Sequence, residues 1–211
     1  MSHRYHQNEH SDLLSRIPVP RNKTFEPDEA LEKAMHLFWR KGYYDTSIED
    51  LVQHVGVSRY GLYSVFGSKH RLFLAALDRY CETVLTRLFA PIEAPGASLA
   101  AIQRYFETAI ASFKTPQGQL GCLMCNTATE LAPHDPQAAD RVRATLQRAS
   151  NAFRQALENA QRQGEIASSI NVEAQADYFT GIVQGLCVYA RSRASPETIE
   201  RFIHIALSTL E

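Results

Sequence analysis

Four consecutive residues, Ser58-Arg59-Tyr60-Gly61, bring a hydroxyl, a guanidinium fork and an aromatic plate onto one short stretch of chain. Arg59 could grip a guanine edge with two hydrogen bonds, and Tyr60 offers a flat face to a thymine methyl or the sugar-phosphate wall. From Gln53 to Phe73 the charged side chains are Arg59, Lys69 and Arg71, three cations and no acid, in a chain of formal net charge −1. Such a local excess of positive charge is where a nucleic-acid face is expected. Thr46 and Ser68-Lys69 add two helix starts, whose free amides and positive dipole end suit a backbone phosphate.

A second grouping carries thiols. Cys122-Leu-Met-Cys125 sets two cysteines at i and i+3, one face of a helix. Three readings stay open: small core residues, a thiol sensor of oxidants or electrophiles at Cys122 or Cys125, and half a zinc site with His134 nearby. Enzyme signatures are missing. There is no Gly-x-Ser-x-Gly, no His-Glu-x-x-His, no glycine-rich phosphate loop and no pair of Glu-x-x-His motifs. The expectation is a non-enzyme with no metal and no cofactor.

Composition supports a folded chain. Of 211 residues, 45% are hydrophobic and 21% charged, which excludes wholesale disorder. With 22 basic against 23 acidic residues, the chain is no polycation that coats nucleic acid or membrane indiscriminately. Four cysteines make no disulfide scaffold. The charge-free stretch Tyr178 to Ala190 is 13 residues long, too short for a span of about 20. The first residues show no apolar signal core. A soluble cytoplasmic protein with reduced thiols is expected.

The elements that must position these residues all carry helical spacing, and no segment alternates like a strand. Residues 1–24 are polar and read as a flexible arm, whose Arg16, Arg21 and Lys23 could follow a minor groove. A first helix starts at Pro27 and stops at Gly42. The second opens with a capping box, Thr46-Ser-Ile-Glu49, and ends at Gly56. A short third helix runs from Ser58 to Phe66, and a fourth from Ser68 to before Pro91. Further helices are expected over about 98–114, 119–132 and 136–164, and from Asn171 and Ser195. The fold class is therefore all-α, with a helix-turn-helix over about 46–66 inside a head of residues 25–72. The fourth helix joins that head to a helical body, residues 73–211, with about five further helices.

At this point the residues resemble a known family. Tyr43-Tyr-Asp-Thr46-Ser-Ile48, then Gly56-Val57-Ser58-Arg59-Tyr60-Gly61-Leu62-Tyr63, then Phe66-Gly-Ser-Lys69-His-Arg-Leu72-Phe73, is similar to the head of the tetracycline-repressor (TetR) family. Tyr60, Gly61 and Val65 depart from the family's usual residues, which bears on the operator sequence. The resemblance implies that Thr46, Tyr63 and Lys69 hold phosphates while Ser58, Arg59, Tyr60 and Gly61 lead the recognition helix. It also implies a homodimer on a palindromic DNA operator and a small-molecule effector in the helical body. The stretch from Gly121 to Asp135 resembles one subgroup of these regulators.

Within that body, Tyr105, Phe106, Phe113, Cys122, Asn126 and Tyr178 are the expected pocket residues. Gly181-x-x-x-Gly185 would allow close helix approach, and with Phe202, Ile203 and Ala206 it suggests a dimer interface. The expected function is a repressor released by its effector. The alternative is a thiol-based sensor on the same scaffold, using Cys122 or Cys125.

Overall fold

The computed structural model describes residues 25–210, so Arg16, Arg21 and Lys23 of the expected arm lie outside the described residues. Regular structure among the described residues is helical throughout. α1 (Pro27–Lys41) begins on proline, with Asp28 and Glu29 in its first turn and Arg40 and Lys41 in its last. That order of charge suits the helix dipole.

α2 (Ile48–Val55) carries the first correction. Its cap is Ser47, one residue beyond Thr46: Ser47 Oγ accepts the Asp50 amide at 3.0 Å, and Asp50 Oδ2 accepts the Ser47 amide at 2.9 Å. The box therefore uses Asp50 and leaves Glu49 out. After Gly56, α3 (Arg59–Phe66) starts on a Ser58 cap and buries only Leu62. An eight-residue helix is marginal alone, so α3 is held by the elements it packs on.

α4 (Lys69–Tyr80) does not run on unchanged to Pro91. It passes into a π-helical turn (Cys81–Leu85) and then α5 (Thr86–Glu93), with helical backbone angles through both junctions. The Thr86 amide reaches back to the Cys81 carbonyl, five residues away, and the Thr86 hydroxyl donates to it too at 3.0 Å. Pro91 lies inside α5. A proline this near a helix end forfeits a backbone bond without stopping the helix.

α6 (Leu99–Phe113) precedes a 3-10 turn (Gly118–Leu120) and α7 (Leu123–Glu130). The sequence periodicity ran these last two together as one helix. They are split at Gly121, whose φ of 72° lies in the left-handed region. The long α8 (Pro136–Arg162), capped by Asp135, packs along α9 (Val172–Arg191), and α10 (Pro196–Ser208) closes on α9 and α6. Tyr105, Phe106, Phe153 and Phe179 form the aromatic centre of the body, with ring centroids 5.1 to 5.9 Å apart. α1 lies along α4, both touch α7 and α4 also meets α8, so the head rests directly on the body.

Candidate nucleic-acid interface and the cavity behind it

The head sorts its expected contact residues into two groups. Ser58 and Arg59 are exposed at the start of α3, and Tyr60 is 75% exposed, the most open large apolar side chain described. The Arg59 guanidinium sits over the Tyr63 ring, 5.5 Å from its centre. Lys69 Nζ lies 4.4 Å from the centre of the Tyr43 ring at the start of α4, where partial burial pulls its pKa down. Neither α3 nor α4 has an acid in its first turn. Ser68 caps α4 by accepting the Arg71 amide at 3.1 Å. Both helix starts thus keep their positive end open to an anion.

Thr46 and Gly61 belong elsewhere. Thr46 is fully buried, and its hydroxyl donates to the Gly42 carbonyl at 2.6 Å, so it is a turn-forming residue and offers nothing to a phosphate. The start of α2 is also closed by a carboxylate. Asp50 takes Lys41 Nζ at 2.7 Å together with the Ser47 amide and hydroxyl, contacts that hold its carboxyl far below the usual range. At Gly61, a Cβ would sit 2.8 Å from Val57 Cγ1 and 3.4 Å from Phe25, so that direction faces the head's own packing. A side chain there would require Val57 to shift.

Behind the head lies a cavity of about 690 Å³, within the usual range for small-molecule sites. α1 supplies Glu32, His36 and Trp39 to its wall, and the chain from α4 through α5 supplies Tyr80, Leu85 and Phe89. Of the expected pocket residues, Tyr105, Phe113 and Cys122 line it. Three do not. Phe106 is fully buried in the aromatic centre, and Tyr178 is 40% exposed on the outer face of α9. Asn126 donates its side-chain amide to the Leu120 carbonyl at 3.2 Å and lines a separate depression.

Sequence reasoning missed Trp39, Tyr80 and Cys187, which belong to segments far apart in the chain. The Trp39 indole donates to the Gly121 carbonyl at 3.0 Å, pinning α1 to the start of α7, and its ring meets Tyr80 at 4.8 Å. A Cβ on Gly121 would lie 2.9 Å from the Cys187 carbonyl, so this approach needs glycine. At the other end of α7, Glu130 Oε1 accepts the Tyr44 amide at 2.8 Å. α7 is therefore tied to the head at both ends, from the cavity wall to the α1–α2 turn.

The thiols are rearranged relative to the sequence pattern. Cys122 shares the cavity wall with Cys187 of α9, while Cys125 turns towards the Gln184 carbonyl at 3.9 Å. The neighbouring Cys187 draws the Cys122 thiol down against its burial. Cys187 itself is pushed up by Cys122 and by burial. Burial pushes Cys125 up as well. No cluster of three metal-ligating side chains occurs among the described residues.

The expected dimer residues also divide. Ile203 and Ala206 are buried within the protomer and cannot reach a second chain. Gly185 faces Phe202, 3.6 Å away, and so packs α9 on α10, while a Cβ on Gly181 would meet open space. Val188 is 58% exposed and Ile205 65%, and Tyr189 and Tyr178 are also exposed. No helix among the described residues is long and apolar enough to cross a membrane.

Comparisons with known proteins cover both halves of the molecule. The family model for bacterial regulatory proteins of the tetR family matches residues 30–76, and that for the tetracyclin repressor-like C-terminal domain matches residues 98–206. The HTH-type transcriptional repressor ComR of Escherichia coli (strain K12) is 34% identical over 191 residues, 90% of this chain and 90% of that protein. The HTH-type transcriptional regulator YezE of Bacillus subtilis (strain 168) is 31% identical over 192 residues, 90% of this chain and 99% of that protein. Among solved structures, a cysteine mutant of the TetR family transcriptional regulator CifR, complexed with 26bp operator DNA, aligns with TM-score 0.81 at 25% identity. That match covers 90% of this chain and 100% of the other.

Proposed function

The chain belongs to the TetR family of helix-turn-helix transcriptional regulators, and on that premise we propose that it is a repressor released from DNA by a small molecule. Ser58, Arg59 and Tyr60 enter the major groove on α3. Tyr63, Lys69 and the open start of α4 hold the flanking phosphates. A homodimer sets its two α3 helices about 34–36 Å apart, one turn of a palindromic operator. The exposed apolar residues of α9 and α10 are the surface offered to the second copy.

The single observation that carries the release mechanism is the shared wall: α1 and α4 belong to the head and also bound the cavity. A molecule in the cavity therefore touches the elements that aim α3. To move the population from 1:99 to 99:1 it must favour the released state by about 5.5 kcal/mol.

Fluorescence anisotropy against the protein's own upstream DNA, beside a scrambled duplex at two salt concentrations, tests the DNA reading. Tight, selective and salt-sensitive binding is expected. Equal weak binding to both duplexes, repeated in a genome-wide binding selection, would overturn it.

A second reading is favoured by the Cys122 thiol, which is acidified and lines the cavity. In that reading the thiolate adds to an electron-poor alkene: its electron pair forms the S–C bond, the C=C π pair moves to the neighbouring carbon, which takes a proton from water, and the adduct replaces reversible occupancy as the signal. Cys125, pushed the other way by burial, is not the nucleophile. A Cys122→Ser protein that still releases DNA with a reversible ligand would favour the first reading over the second.

A further inference from the structure

We propose that the cavity takes an uncharged, mainly apolar molecule bearing one carbonyl-type oxygen, and that the Tyr105 hydroxyl holds this oxygen. The proposal rests on the reading of the cavity as the effector site and names the chemistry of its guest. Tyr105 is fully buried, and its hydroxyl has no hydrogen-bond partner among the described residues. Its ring is fixed by Phe153 at 5.1 Å and Phe106 at 5.4 Å. Tyr105 shares the cavity wall with the Cys187 and Cys122 thiols.

Several other donors around the cavity are already spent, while Ser112 and Arg87 of its wall are exposed and Gln184 is partly so. Thr83 donates to the Arg79 carbonyl at 2.7 Å, Thr108 to Arg104 at 2.8 Å, and Thr145 to Arg141 at 2.9 Å. The Trp39 indole is used on Gly121. The Tyr105 proton is thus a buried donor left for a guest, and the guest must bring an acceptor. An unmet hydroxyl destabilises the empty protein, so a guest oxygen is rewarded with the full bond.

Charge selects against ions. Arg87 is exposed, and Glu32 is only partly buried and engages His36, so these wall charges stay in contact with water. A carboxylate placed near Tyr105 would meet no buried cation in that wall. Leu85, Phe89, Met124 and Val183 line the rest with hydrocarbon and ring.

The test compares two fluorescent probes on the wild-type protein and on Tyr105→Phe. Prodan is an uncharged naphthalene with one ketone, and N-phenyl-1-naphthylamine is uncharged, of similar apolar bulk, and lacks a carbonyl. Wild-type protein should bind prodan, and Tyr105→Phe should bind it about tenfold more weakly while binding the amine unchanged. The same substitution should leave the melting temperature of the empty protein equal or higher, because it removes an unsatisfied polar group. Equal prodan affinity in both proteins, parallel loss of both probes, or no prodan binding by wild type would each overturn the proposal. Operator anisotropy with bound prodan reads the other question separately. Tyr105-dependent binding that leaves DNA affinity untouched would keep this inference and sink the effector-release reading.

Discussion

Arg59 and Lys69 are both cations of the head, and their surroundings assign them different work. Arg59 projects from an exposed helix start beside Tyr60, free to meet a base edge, whereas Lys69 is half-buried over Tyr43 at a helix dipole. Arg59→Ala should cost about 1–3 kcal/mol of operator binding and relax preference at one base pair. Lys69→Ala should weaken all sequences alike and lower the salt slope by about one. Titration of both variants on operator and random duplexes checks this, and equal loss on both for Arg59→Ala would remove its base-reading role. At Cys122 the prediction concerns pH. The Cys122 thiol is drawn down while the other three are pushed up, so iodoacetamide should label Cys122 before Cys81, Cys125 and Cys187. Its labelling rate should fall as pH drops below the range of an ordinary thiol, since protonation removes the nucleophile. Peptide mapping after brief labelling at several pH values reads it out, and first labelling at Cys125 would contradict the assignment.

At the scale of elements, α7 is the connection the sequence hid best. It is eight residues long, yet Gly121 beside its first turn takes the Trp39 indole and Glu130 at its end takes the Tyr44 amide. A guest that shifts α7 along the cavity wall would pull on the C-terminal end of α1 and on the turn that follows it. Glu130→Ala should cost about 1 kcal/mol in urea unfolding and open the Tyr44 amide to hydrogen exchange. Unchanged protection at Tyr44 would mean that the α1–α2 turn is held by other contacts. The joint between α4 and α5 matters for the same reason. The π-helical turn at Cys81–Leu85 changes the facing of the residues after it, and Thr83, Val84 and Leu85 all reach the cavity wall.

For the whole molecule, the proposed dimer must hold two heads at one spacing. Tyr178, Val188, Tyr189 and Ile205 are exposed large apolar side chains of α9 and α10, and in the proposed dimer they face the second copy. Val188→Glu combined with Ile205→Glu places two charges among these side chains without touching the protomer core. Light scattering should then report a monomer, with operator affinity falling because the two half-sites are no longer bound as a unit. A dimer of unchanged mass would move the interface to another face. Asp135 fastens head to body on the opposite side, capping α8 through the Ala138 amide at 2.8 Å and meeting His70 Nε2 at 2.5 Å.

The helix-turn-helix was legible in the sequence because its signals are local. Glycines at 42, 56 and 67, serine caps at 58 and 68, and apolar residues three and four apart set the turns and inward faces of α1 to α4 before any tertiary contact is known. The same local reading placed the cap of α2 one residue early, since Thr46 and Ser47 are both competent hydroxyls. Only burial against Gly42 distinguishes them. Helical periodicity states that a face is apolar and is silent on what covers it. Ile203 and Ala206 therefore looked like dimer residues and are core, and Tyr178 looked like a pocket residue and faces outward. The cavity was legible only in part: Tyr105, Phe113 and Cys122 were expected in its wall, and Trp39, Tyr80 and Cys187 were not. Cys187 stands beside Cys122 in that wall because α9 is laid against the start of α7. Spacing along one helix fixes which side chains share its surface, while the packing of several helices decides which of those surfaces meet.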